Sequence, residues 1–117
     1  MDFAIEFYET ADGHRPIEEF LDALKASDPD VHARVLAGLA RLRDRRNHRE
    51  PLCKPVGRGL LELRVLGRLN TRVLWFFQHG QRIIVVHGVR HKGQKLPPEA
   101  LRVARVRKTD WEGRGRR

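Results

Sequence analysis

The chain has 117 residues, 40% of them hydrophobic and 33% charged, with a formal net charge of +9 and one cysteine. That length suits one domain with a real core and is too short for two; the lone Cys53 excludes an internal disulfide framework and any cysteine-based zinc site, so nothing ties the fold to an oxidising compartment. The charge is divided: positions 1–40 carry nine acidic and three basic residues (net −6), positions 41–117 carry 21 basic and six acidic residues (net +15), and a pole that positive gathers polyanions, of which nucleic acid is the commonest.

The segment up to Tyr8 contains Asp2 and Glu6 and no long apolar stretch. Neither a signal peptide nor a membrane span is expected there or further along, and the cytoplasm is the expected location. Phe3, Ile5 and Phe7 alternate with Ala4, Glu6 and Tyr8, the period of a half-buried strand. After a turn at Asp12, Gly13 and His14, Pro16 suits a first helical position and Glu18 and Glu19 suit the positive helix end. The stripe Ile17, Phe20, Leu21, Leu24 then predicts a helix from about Pro16 to Ala26. Ser27, Asp28, Pro29 and Asp30 start a second helix, with Val31, Val35, Leu39 and Leu42 at helical spacing as far as Arg45 and Arg46. Positions 47–59, with Pro51, Pro55, Gly57 and Gly59, read as a loop.

Leu60–Leu66, Thr71–Phe77 and Arg82–Val89 read as three strands, with turns at Gly67 and at His79 and Gly80. A two-residue hairpin loop at His79 and Gly80 sets Gln78 opposite Gln81 and Arg72 opposite His87, on one face. Glu62 and Arg64 join Arg72, Leu74 and Phe76 on that face if the loop around Gly67 has odd length. The opposite face, Leu61, Leu63, Val65, Val73, Trp75, Ile84 and Val86, is apolar enough to receive the two early helices. Pro97, Pro98 and Glu99 open a last helix to about Lys108, with Leu101 and Ala104 inward and Arg102, Arg105 and Arg107 outward. The expected architecture is α+β in the order β-α-α-β-β-β-α, one domain over 1–112 with a basic disordered tail over 113–117.

Gripping or cutting an RNA backbone needs cations near the phosphate and a group that moves a proton on or off the 2′-hydroxyl or the leaving oxygen. Arg64 and Arg72, set among apolar strand residues, meet the first need; the bland alternative is an arginine snorkelling at a sheet edge or paired with Glu62. His87, His91, Lys92 and Lys95 cluster where the last strand ends, and histidine titrates near neutrality. Strand alternation from His87 puts His91 on the face of Arg72, with Lys92 pointing away while the strand continues. His87 itself reads as a packed or hydrogen-bonded neighbour. His87 and His91 lack a nearby carboxylate or thiolate, so no metal site is expected.

A P-loop, a dinucleotide fingerprint and an activated-serine motif are all absent. Cys53, beside Lys54, reads as an inert thiol. Trp75, Phe76 and Phe77 read as core, with at most Phe76 reaching the basic face. Arg41, Arg43, Arg45, Arg46 and Arg49 read as a solvated helix end also able to touch RNA phosphates.

Lys54, the run Gly59 to Arg64, Arg72, the run Ile83 to Gly88, the run Lys92 to Pro97, and Ala104 with Arg107 form a set that resembles the HigB-like branch of the RelE/ParE toxin superfamily. These are the toxins of type II toxin–antitoxin systems often labelled phage-derived, and the resemblance covers nearly the whole chain. It implies a small, mainly antiparallel sheet with two N-terminal helices on one face and a C-terminal helix. It also implies a ribosome-dependent mRNA endoribonuclease that inhibits translation, uses basic residues in place of a metal or other cofactor, and is neutralised by a cognate antitoxin, a helix-turn-helix protein. On that resemblance Arg64 and Arg72 hold the phosphate, with Lys54 a further candidate, and His91, Lys92 and Lys95 occupy the catalytic tail region, where His91 or Lys92 transfers protons. Lys54, Arg68, Arg90 and Lys95 are the expected RNA contacts, and Arg72→Ala is expected to fold and lose activity. The family carries an aromatic followed by paired lysines where this chain has Val89, Arg90, His91 and Lys92, which leaves open whether His91 takes over a lysine's role. The rival readings on the same basic face are a ParE-like gyrase inhibitor and a non-catalytic RNA- or ribosome-binding module.

Overall fold

The computed structural model describes residues 2–115. Its elements in chain order are β1 (Ala4–Phe7), α1 (Pro16–Ser27), α2 (Pro29–Arg41), a 3-10 turn (Arg45–Asn47), β2 (Cys53–Gly57), β3 (Leu60–Val65), β4 (Asn70–Gln78), β5 (Arg82–His91) and α3 (Pro98–Gly113). The five strands form one sheet in the order β1-β5-β4-β3-β2, with β1 parallel to β5 and every other pair antiparallel. The α+β class and the placing of the early helices and three later strands follow the sequence reading.

Pro16 opens α1 with Glu18 and Glu19 in the first turn, where carboxylates favour the helix dipole. Asp28 caps α2 by accepting from the Val31 amide at 3.3 Å, and Pro29 follows it. Ile17, Leu21, Leu24, Val35 and Leu39 from these helices pack on Leu63, Val65, Val73, Trp75, Ile83 and Val85 of the sheet. The other sheet face presents Leu60, Leu74, Phe76, Ile84 and Val86 to Ala100, Ala104 and Trp111 of α3 and to Tyr8.

Three local features depart from the sequence reading. β2 lies inside the expected loop 47–59; it is an edge strand paired only with β3, a position that tolerates Pro55, and a tight turn with positive φ at Gly57, Arg58 and Gly59 joins the two. The β4–β5 loop is three residues long, with Gln78 opposite Arg82 and positive φ at Gly80 and Gln81. One extra residue reverses strand parity, so Ile84 and Val86 turn to the α3 face and Ile83 and Val85 take their place under α1 and α2. A bulge between the Trp75–Val85 and Leu74–His87 pairs reverses parity again, so His87 shares the face of Arg72, although Arg72 stands opposite Val89. Third, Arg107 points inward: its Nη1 donates to the Val86 carbonyl at 2.8 Å and to His87 Nδ1 at 3.1 Å, while Arg102 and Arg105 are exposed as expected.

α3 runs past Lys108 because Trp111 is buried and its Nε1 donates to Gln78 Oε1 at 2.6 Å. Of the expected tail, Gly113 ends α3 and Arg114 donates to Asp110 Oδ2 at 2.9 Å; positions 116 and 117 lie outside the described residues. Among the described residues no helix is long and apolar enough to cross a membrane.

Candidate functional site

An odd number of residues, Leu66 to Asn70, separates the paired Val65 and Thr71, and this sets Arg64 directly opposite Arg72 and Glu62 opposite Leu74. Two like charges facing each other across strands repel. Glu62 relieves this: its Oε1 lies 2.9 Å from Arg72 Nη1 and 3.8 Å from Arg64 Nε. Glu62 and Arg72 are 4% and 2% exposed, so their attraction acts with little solvent screening. Lys54 of β2, exposed, stands opposite Glu62 on the other side.

The segment between β5 and α3 closes over this end of the sheet. Arg72 Nη2 donates to the Gln94 carbonyl at 2.8 Å, and Asn70 Nδ2 donates to the Gly93 carbonyl. Gly93 holds the turn with a φ of 81°. His91, opposite Asn70 in register, donates from Nδ1 to the Lys92 carbonyl at 3.1 Å. His91 Nε2 is buried and has no hydrogen-bond partner among the described residues. Lys92 and Lys95 are exposed on the same segment.

The structure therefore brings Arg64, Arg72 and His91 to one end of one face, with Lys92 and Lys95 beside them and Lys54 across Glu62. Arg72 departs from the expectation of a cation open to a phosphate, because its guanidinium is buried and taken up by Glu62 and Gln94. Pairing with Glu62, the bland alternative, is what the structure has. Arg64 keeps a partly open guanidinium: its side chain is 25% exposed and its second carboxylate, Glu50, stands at 3.7 Å. Arg68 is exposed in the β3–β4 loop. Arg90 is on the opposite face, where it binds Asp28 Oδ2 at 3.0 Å at the α1–α2 junction.

The holding roles of Asn70 and Gln94 were missed, since a neutral side chain and a backbone carbonyl leave no charge pattern to read. Glu62 did leave one, a carboxylate between leucines in the strand of Arg64. His87 is a packed neighbour, as expected: burial, and then the charge of Arg107, push its imidazole down to about 4. Burial pushes the Cys53 thiol up to about 12, which makes it a poor nucleophile. Phe76 lies on the basic face but is buried, under the Lys108 ammonium at 5.3 Å. Among the described residues no three His, Cys, Asp or Glu side chains group as metal ligands.

The family model described as phage derived protein Gp49-like matches residues 22–109. The chain belongs to the Gp49-like family. No curated protein matches it. The matched span runs from within α1 to α3 and includes Lys54, Glu62, Arg64, Arg72, His91, Lys92 and Lys95, so the whole basic end of the sheet is Gp49-like sequence. Three helices and a five-stranded, mostly antiparallel sheet agree with a RelE-like fold.

Proposed function

We propose that this Gp49-like protein is the toxin of a type II toxin–antitoxin system, a ribosome-dependent endoribonuclease that cuts mRNA and stops translation. Membership of a phage-derived family, the RelE-like fold and the basic pole support that reading. The observation that carries it is the gathering, at one end of the sheet, of the partly open Arg64 guanidinium, His91 with its buried and unpartnered Nε2, and the exposed Lys92 and Lys95. Its partners are the ribosome with its mRNA and a cognate helix-turn-helix antitoxin, and it works in the cytoplasm.

In the proposed reaction RNA binding uncovers His91 Nε2, which is buried in the free chain, and it takes the proton of the 2′-hydroxyl as the 2′-oxygen attacks the adjacent phosphorus. The bond from phosphorus to the 5′-oxygen breaks, leaving a 2′,3′-cyclic phosphate, and the departing oxygen takes a proton from Lys92. Arg64 stabilises the charge that builds on the phosphoryl oxygens. Arg72 acts through others: it neutralises Glu62 beneath Arg64 and ties down the Gln94 carbonyl, which fixes the segment bearing Lys92 and Lys95. Lys54 and Arg68 hold flanking phosphates. No metal or other cofactor enters the steps.

The test is addition of the purified protein to translating ribosomes, with transcript ends mapped. New ends are expected with the wild type. Arg64→Ala should lower the rate by roughly 10²- to 10³-fold, and His91→Ala by roughly 10²- to 10⁴-fold. Inhibition of gyrase supercoiling with intact transcripts would instead make the chain a ParE-like inhibitor. Ribosome binding without new ends would make it a non-catalytic module.

A further inference from the structure

Arg34, Gly38 and Arg41 follow one another at i, i+4 and i+7 on α2, which places them on one helix face. Gly38 turns that face toward β3 at close range: a Cβ there would meet the Leu63 side chain at 3.2 Å. Beside this contact run two open cavities of about 250 and 240 Å³. Both are lined by Arg34, Arg41, Leu52 and Arg64, so they form one groove, and Leu66 (49% exposed) lines the first.

The rim of this groove is cationic and weakly neutralised. Arg34 Nη2 donates to the Leu66 carbonyl at 3.1 Å and Arg41 Nη2 to Asn47 Oδ1 at 3.2 Å, both neutral acceptors. Arg64 has carboxylates only at 3.7 and 3.8 Å. Leu52 and Leu66 supply apolar surface between the guanidinium groups. Single-stranded nucleic acid asks for this combination: cations along its phosphates and a flat or apolar surface for a base.

We infer that the groove between α2 and the β3 end, with Arg34, Arg41 and Arg64 on its rim and Leu52 and Leu66 within, is a nucleotide subsite for the RNA strand flanking the scissile phosphate. This rests on the endoribonuclease reading, because Arg64 is the residue that joins the groove to the proposed reaction site. Arg64 lines both cavities together with Arg34 and Arg41, so a strand gripped at Arg64 meets the α2 arginines next, which favours RNA over an acidic protein segment as the occupant.

The experiment measures binding of 2′-O-methyl single-stranded RNA, a hexanucleotide and a dinucleotide, to the full chain across a salt series. Arg34→Gln/Arg41→Gln should weaken the hexanucleotide about tenfold at low salt and flatten its log–log salt slope by about 1.4, the counterion share of two phosphates on a single strand. The dinucleotide, held at Arg64, should be unaffected by that pair and weakened by Arg64→Gln. Unchanged hexanucleotide binding in the α2 double variant, with a loss in Arg64→Gln, would overturn the subsite and leave the RNA reading standing. Failure of the wild type to bind either oligonucleotide would overturn the subsite, while transcript cleavage on translating ribosomes tests the endoribonuclease reading separately. Loss of a poly-glutamate peptide, and not of RNA, from the α2 variant would make the groove a protein-docking surface and overturn the subsite. Both arginines are exposed, so unchanged thermal melting is expected to accompany the binding loss.

Discussion

Arg72 and Glu62 form an ion pair with almost no solvent access, and Glu62 Oε2 has no partner of its own among the described residues. Removing one member strands the other's charge in the interior, so Arg72→Ala should destabilise the fold by about 3–5 kcal/mol, measured by urea unfolding. Glu62→Leu combined with Arg72→Met should recover much of that loss, because no charge is then left buried. Full stability of Arg72→Ala would contradict the buried pair. The contrast with Arg64 is informative: the carboxylates that Arg64→Ala releases stand at 3.7 and 3.8 Å, so it should fold normally and lose cleavage.

His87 gives a second prediction at this scale. The unfolded imidazole takes up a proton near its ordinary value of 6.5, whereas burial and Arg107 delay protonation of the folded one to about 4. Between those values the unfolded chain binds more protons, so stability falls as pH drops from about 6.5 to about 4 and gains nothing from His87 above that window. Denaturation midpoints measured across this range should fall less steeply for His87→Gln than for the wild type.

Between elements, α1 packs on β5 at Gly88. A Cβ on Gly88 would overlap the Phe20 ring, so the glycine is required by the helix packed on it and not by its own backbone angles. Gly88→Ala should cost about 1–3 kcal/mol by overpacking, and Gly88→Ala with Phe20→Ala should cost less than the sum of the singles. Additive costs in unfolding experiments would remove the claimed contact. α3 is anchored in the same way at its far end: Trp111 fills the second core and bonds Gln78, so Trp111→Ala should cost about 3–5 kcal/mol.

At the scale of the molecule, the acidic residues are concentrated before position 40 and the basic ones after it. A charge division of net −6 and net +15 should steer an acidic partner to the sheet end and α3. Association with the proposed antitoxin should therefore slow and weaken as salt rises, measured by binding kinetics at increasing ionic strength. Salt-insensitive association would point to a mainly apolar interface.

What the sequence determined by itself was local: the helical stripes of α1 and α2, the alternation of β1, β3 and β4, and the split of charge, each carried by residues a few positions apart. Tertiary structure decided the rest, because it depended on partners distant in the chain. Pro55 and Gly57 hid β2, which is a strand only through its pairing with β3. One residue more in the His79–Gln81 loop, and then a bulge, settled which face Ile84, Val86 and His87 occupy, since strand parity is changed by single residues. Arg64 and Arg72 were legible as strand cations, and the odd spacing of the β3–β4 pairing put them on one face. That Arg72 is buried and Arg64 half open was not, because burial is set by what closes over a side chain: for Arg72 it is the carbonyl of Gln94, 22 residues away, and at Arg64 no element does the same.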